Sequence, residues 1–275
     1  MTSTAAAAVA SGPGWHVERR DLADTGLQVR ERGAGRPLLY LHAEHFQDAA
    51  QPFLDGLADR FRAIAPRHPG FDGTAPPADF RTVGDLACLY LDLLEDLDLR
   101  ESVLVGTSFG GWIALELAVR DCSRIGRLVL VNPVGVRFGG REDREFADLF
   151  AADEATQRRL LFADPARHAP DFATLDDAAM ETIAREREYA AWYGWSPYMH
   201  DPRLGRWLHR VRVPALVLSG AADGYVPPSN GAMLAAHLPD ARHEVLDGAG
   251  HCPQIECPDA LAATVAAFAG EGEGV

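Results

Sequence analysis

The stretch GTSFGG at residues 106–111 lies between the short, β-branched run SVLV (102–105) and WIALELAV (112–119), whose apolar residues recur at helical spacing among good helix formers. A chain that passes from strand to helix over so few residues must turn sharply. Gly106 and Gly110 remove the side chains that would crowd such a turn, so Ser108 can occupy its apex in a strained backbone conformation. The turn points the hydroxyl away from the sheet and brings the N-terminus of the next helix beside it. The Phe109 N–H is therefore expected to be free to bond a developing negative charge. Ser108 is a candidate nucleophile, set against the plainer reading of a small polar residue in a glycine-rich loop.

The rest of the chain gives this junction a setting. Residues 16–22 and 27–33 read as two strands of a hairpin joined through Gly26. From Pro37 onward, strand-like runs at 38–41, 63–65, 102–105 and 127–131 alternate with helical stretches at 51–60, 83–97 and after Ser108. Such alternation implies a parallel sheet. It stops after Asn132, and residues 137–207 carry amphipathic and aromatic-rich segments with no convincing strand, as in a helical insertion. It resumes with a strand at 213–218, a helix at 230–238, a strand at 242–246 and a helix at 258–269, where Pro258 suits the first helical position. The expected fold class is α/β, a mostly parallel central sheet flanked by helices, with an inserted helical cap. The expected divisions are a disordered tail (1–14), a core (15–136 and 208–275) and a cap (137–207).

A chain of 275 residues is long enough for one large domain with an insertion. The net charge of −14, the pI near 5.1 and the lack of any basic run argue against nucleic acid and anionic membranes as partners. The N-terminal MTSTAAAAVASGPGW has neither a basic n-region nor a strongly apolar h-region, and no apolar stretch approaches membrane-spanning length. A cytoplasmic protein with a small-molecule substrate is expected, and a homodimer is compatible with these properties. Cys88, Cys122, Cys252 and Cys257 lack paired metal-ligand spacing, so no metal, cofactor or disulfide is expected.

A serine hydroxyl is a poor nucleophile at neutral pH. It needs a base, usually histidine, and the base needs an acid to fix its tautomer. Both should lie just past the carboxyl ends of strands, on the same side of the sheet as Ser108. Asp223 follows the run PALVL in the turn SGAADGYVPP, and His251 follows HEVL in the loop DGAGHCPQIECP. The order Ser108, Asp223, His251 is one that serine hydrolases use. Asp247 is a second candidate acid, although it ends its strand instead of following a strand and turn of its own. Glu256 is read as a residue that orders the backbone of the histidine loop.

Taken together, these segments resemble the α/β-hydrolase superfamily, in particular its capped branch of esterases, C–C bond hydrolases and haloperoxidase-like proteins. GTSFGG is similar to the nucleophile elbow, VLSGAADGYVPP to the acid-bearing turn and DGAGHCPQIECP to the histidine loop. LLYLHAEHF resembles the oxyanion segment, and IAPRHPGFDGT the loop after the next strand. The resemblance implies an α/β-hydrolase fold with catalytic Ser108, Asp223 and His251, and an oxyanion hole built from the backbone N–H groups of Phe109, Glu44 and Ala43.

Two positions depart from that pattern. His42, Ala43, Glu44, His45 stand where the family usually has His-Gly; the Glu44 carboxylate could lower affinity for anionic substrates, act as an extra acid or base, or face solvent, and the last is expected. Arg67 replaces an acidic residue of many relatives and is expected to be a surface adjustment. Serine at the elbow disfavours the alkyl-ester chemistry of the aspartate-bearing dehalogenases and epoxide hydrolases and favours acyl transfer. Ester hydrolysis is the first reading. Hydrolysis of C–C bonds in meta-cleavage products is the second, because those enzymes commonly carry tryptophan where this chain has Cys252. A binding protein with vestigial catalysis is the third. His42, Trp112, Trp192, Trp195 and Tyr198 are candidate pocket residues for a hydrophobic or aromatic substrate, with packing of the cap as the alternative.

Overall fold

The computed structural model describes residues 14–140, 143 and 145–271. Apart from Gly14, the segment expected to be a tail lies outside the described residues. Strands β1 (His16–Leu22) and β2 (Thr25–Arg32) form an antiparallel hairpin, and β2 pairs antiparallel with β4 (Arg62–Pro66). From there every pairing is parallel: β4 with β3 (Pro37–Leu41), then β5 (Ser102–Thr107), β6 (Ile125–Val131), β7 (Ala215–Gly220) and β8 (Ala241–Leu246). The order across the eight-stranded sheet is β1-β2-β4-β3-β5-β6-β7-β8. This is the mostly parallel, helix-flanked α/β sheet expected from the alternation.

Residue alternation along the strands sends side chains to two separate cores. On one face Leu39, Leu41, Leu104, Leu128 and Leu130 pack with Leu86 and Leu93 of α2 (Val83–Asp96) and Ile113 and Leu117 of α3 (Phe109–Arg120). On the other, Leu38, Tyr40, Val103, Val105, Val129 and Val131 pack with Phe53 and Leu57 of α1 (Gln51–Ala58) and with residues of the C-terminal helix. Helix α2 starts at a capping box in which Thr82 and Asp85 bond each other's backbone N–H groups, which fixes where the preceding loop ends.

Between β6 and β7 the chain forms α4 (Glu154–Leu161), the single turn α5 (Pro165–His168) and α6 (Asp177–Gly194), with 3-10 turns at Phe172–Thr174 and Leu204–Arg210. Helix α7 (Pro228–His237), the short α8 (Pro253–Glu256) and α9 (Pro258–Ala269) complete the flanks. All three carry proline in the first turn, where the missing N–H costs nothing. No helix among the described residues is long and apolar enough to cross a membrane.

Candidate active site

Ser108, between the end of β5 and the start of α3, has φ 49° and ψ −111°, a left-handed region that non-glycine residues seldom occupy. The surroundings hold it there. Its N–H donates to the Val131 carbonyl at 2.9 Å, and its own carbonyl accepts the N–H groups of Gly111 (2.9 Å) and Trp112 (3.2 Å). The two flanking glycines are steric necessities: a β-carbon at Gly106 would lie 2.4 Å from the Gly110 carbonyl oxygen, and one at Gly110 would lie 2.0 Å from that of Leu41. The elbow is therefore pressed against the end of β3.

The other two candidates come from the ends of β7 and β8, on the same edge of the sheet. His251 Nε2 lies 2.8 Å from Ser108 Oγ, and its Nδ1 lies 2.7 Å from Asp223 Oδ2. The remaining Asp223 oxygen accepts the N–H groups of Tyr225 and Val226, both at 2.8 Å. With both oxygens occupied, the carboxylate cannot rotate away from the ring. All three residues are buried, and the Tyr225 ring stands edge-on to His251 at 4.7 Å. Asp247 is exposed and His251 Nδ1 is directed at Asp223, so the alternative acid is not the one the fold selects.

Backbone contacts to the segment leading out of α4 position this cluster further. The His251 N–H donates to Leu161 O at 2.9 Å and the Gly224 N–H to Leu160 O at 3.1 Å. Glu256 accepts the N–H of Gly250 on one oxygen and that of Ala163 on the other, both at 2.7 Å. Its reading as a residue that orders the histidine loop describes this geometry. Asn132 adds a contact that the sequence reading missed: its amide donates to the carbonyls of Gly250 (3.1 Å) and His251 (2.9 Å) and accepts the Gly220 N–H (2.9 Å). A lone asparagine at the end of an apolar strand was the available signal.

Glu44 departs most from expectation. Its side chain does not face solvent; it is 0 % exposed. Oε1 accepts from the Ser108 hydroxyl and Oε2 from the Phe109 N–H, each at 3.1 Å, and His45 Nε2 is 3.7 Å from Oε1. The carboxylate is buried because donors at the N-terminus of α3 replace part of its hydration. The Phe109 N–H is accordingly not free: it is held by this carboxylate.

One hydroxyl proton cannot serve both His251 and Glu44. Burial disfavours the His251 imidazolium, but the Asp223 carboxylate, with Glu44 and Glu256 adding to it, outweighs burial and raises the ring's pKa above the ordinary histidine value. A protonated ring donates from Nε2 to Ser108 Oγ, and the hydroxyl then donates to Glu44.

The other expectations divide. His42 is buried. Its Nε2 accepts the His68 N–H at 3.0 Å and its Nδ1 bonds the Ala43 carbonyl at 2.7 Å, while burial and the neighbouring His68 push its pKa well down. It braces the turn before Ala43 and Glu44. Arg67 is 2 % exposed instead of being a surface adjustment, because Asp48 pairs with its guanidinium. Tyr198 reaches toward the site: its hydroxyl is 3.5 Å from that of Tyr225, the residue edge-on to His251.

The three tryptophans lie elsewhere. Trp112, Trp192 and Trp195 line a surface groove of about 780 Å³ with Arg81, Arg120 and His200; Ser108, Asp223 and His251 are not among its walls. Trp192 donates its indole N–H to the Phe80 carbonyl at 3.0 Å beneath the Arg81 guanidinium, and Trp195 is 58 % exposed. Trp112 is itself buried and donates its indole N–H to the Glu116 carboxylate at 3.4 Å.

Comparison with known proteins agrees with this architecture. The sequence model described as the alpha/beta hydrolase family matches residues 33–264. A 2-hydroxymuconate semialdehyde hydrolase of Pseudomonas sp. (strain CF600) is 28 % identical over 279 residues, covering 92 % of this chain and 94 % of that protein. A pimeloyl-[acyl-carrier protein] methyl ester esterase of Aromatoleum aromaticum is 29 % identical over 220 residues, covering 74 % and 86 %. Among solved structures, a serine hydrolase from the polyaromatic hydrocarbon-degrading bacterium Cycloclasticus zankles superposes with a TM-score of 0.77 at 21 % identity, covering 94 % of this chain and all of that one.

Proposed function

Since the chain belongs to the alpha/beta hydrolase family, we propose that it hydrolyses a carboxylic ester, or a related acyl bond, of a small hydrophobic or aromatic substrate. The observation that carries this reading is the hydrogen-bonded series Ser108–His251–Asp223 at a strained strand-to-helix turn. In the proposed reaction Ser108 Oγ attacks the carbonyl carbon while neutral His251 takes the hydroxyl proton, and Asp223 stabilises the resulting imidazolium. The carbonyl oxygen becomes negative beside the Phe109 N–H, with the backbone amides of Ala43 and Glu44 proposed as further donors. His251 returns the proton to the departing alcohol. It then activates the water that splits the acyl-enzyme. No cofactor enters this scheme.

A second reading, C–C bond hydrolysis, is favoured by one observation, the similarity to 2-hydroxymuconate semialdehyde hydrolase over nearly the whole chain. Against it stands the buried Glu44 carboxylate beside Ser108, which would repel an anionic substrate such as the dienoates named for other relatives. Turnover of a panel of short-chain, long-chain and aryl esters and a meta-cleavage dienone, by wild type and Ser108→Ala, separates the readings. Ester turnover that falls about 10⁴-fold or more in the variant supports acyl transfer. Preference for the dienone supports the second reading, and turnover indifferent to Ser108 supports a binding role.

A further inference from the structure

The Glu44 carboxylate has two hydrogen-bond donors at rest, the Ser108 hydroxyl and the Phe109 N–H, and the proposed reaction takes both away. Ser108 must give its proton to His251. The Phe109 N–H must turn to the substrate oxygen. His45 Nε2, at 3.7 Å from Oε1, is beyond hydrogen-bonding reach. A buried carboxylate stripped of donors is costly unless another donor takes their place. A substrate that enters the site can supply such a donor.

Resting on the acyl-transfer reading, we propose that Glu44 determines substrate choice: its buried carboxylate selects carbonyl compounds that carry a hydrogen-bond donor, a hydroxyl or an ammonium, on the carbon next to the scissile carbonyl. That carbon is bonded to the carbonyl carbon, so a donor on it lies beside the oxyanion position and can meet the carboxylate displaced from the Phe109 N–H. The same side chain disfavours substrates with a carboxylate at that position and gives no advantage to those with only hydrogen there. Glu44 thus acts as a gate that exchanges its own two bonds for one from the correct substrate.

The test uses three esters matched in size: methyl mandelate (α-hydroxyl), methyl phenylglycinate (α-ammonium) and methyl phenylacetate (neither). Wild type is expected to turn over at least one of the donor-bearing pair about 10- to 100-fold faster in kcat/KM than the phenylacetate, the range expected for one charge-assisted hydrogen bond. Which of the two leads identifies the donor. In Glu44→Ala the ratio is expected to fall to near one, and Glu44→Gln, of the same shape but uncharged, is expected to lie between. Equal rates in wild type, or a preference that survives in Glu44→Ala, overturns the proposal. Calorimetric binding of mandelamide, phenylglycinamide and phenylacetamide to Ser108→Ala reads the same preference without chemistry, and lack of discrimination there, absent binding included, also overturns it. Labelling of Ser108 by a fluorophosphonate keeps the two readings apart. A labelled enzyme that ignores the α-substituent refutes the role of Glu44 alone, whereas an enzyme that is not labelled refutes the acyl-transfer reading.

Discussion

Glu186 on α6 offers a direct test of how the inserted helices are coupled to the site loop. The carboxylate is 3 % exposed and accepts the N–H groups of Phe46 (2.9 Å) and Gln47 (3.3 Å), the residues that follow Glu44 and His45. Burial, reinforced by Asp48 and opposed by those two N–H groups and Arg67, moves its pKa from 4.5 up to about 7. The folded protein therefore holds a proton there that the unfolded chain has already lost. Stability from this group is complete below pH 4.5, falls as pH rises toward 7, and is flat above that. At about 1.4 kcal/mol for each tenfold change in proton affinity, the full loss is about 3 kcal/mol. Glutamine cannot ionise; it keeps an oxygen for Phe46 and forfeits the longer bond to Gln47, at about 1 kcal/mol. Glu186→Gln is thus expected to exceed wild type by about 2 kcal/mol at pH 8 and to lose that advantage toward pH 5. Urea unfolding of both proteins at pH 5, 6, 7 and 8 measures the difference, in which other titrating groups cancel. Parallel pH profiles, or a variant less stable at pH 8, would refute the reasoning.

Two further predictions concern the site itself. The proposed base must be neutral, so activity falls as pH drops through the raised His251 pKa. Glu44→Ala removes one of the charges that raise it and is expected to move this acid limb to lower pH; a limb that stays in place or moves up in a kcat/KM profile contradicts the assignment. Gly110→Ala would place a methyl group 2.0 Å from the Leu41 carbonyl oxygen and 2.6 Å from that of His42, both backbone atoms with nowhere to go. A loss of about 3 kcal/mol, seen as a drop in Tm of about 10 °C, is expected, and an unchanged Tm would show that β3 can yield.

The fold was largely legible because parallel strands buried on both faces read as short apolar runs, and helices between them carry the longer period. Boundaries moved only slightly: β7 begins at Ala215 instead of 213, just beyond Pro214, which has no N–H to give a ladder. Ser108, Asp223 and His251 could be picked out because each follows its own strand, and the fold brings them into one hydrogen-bonded series. What could not be read was the fate of single charged residues. Glu44 and Arg67 were assigned to solvent by the general rule that charges avoid the interior, yet each is buried against a partner distant in sequence, Ser108 and Phe109 for one and Asp48 for the other. The aromatic run from Tyr189 to Tyr198 invited a pocket reading, but Trp192, Tyr193 and Trp195 line an outer groove while the Tyr198 hydroxyl lies 3.5 Å from that of Tyr225.

The link between the α4 exit and the two loops beside it limits how the molecule can be re-engineered. Residues 160–163 bond the Gly224 and His251 N–H groups through two carbonyls, and the Ala163 N–H shares the Glu256 carboxylate with Gly250. A β-carbon on Gly250 would come within 2.6 Å of the Ala163 nitrogen, so the two segments are already in close contact. Inserted helices in such an enzyme invite exchange as a module to change substrate range. Here a graft that replaced residues 160–163 would also unseat the histidine it was meant to serve. The usable splice points lie outside this four-residue splint, and a chimera that retains Leu160 to Ala163 keeps the register of the proposed base whatever helices are attached beyond it.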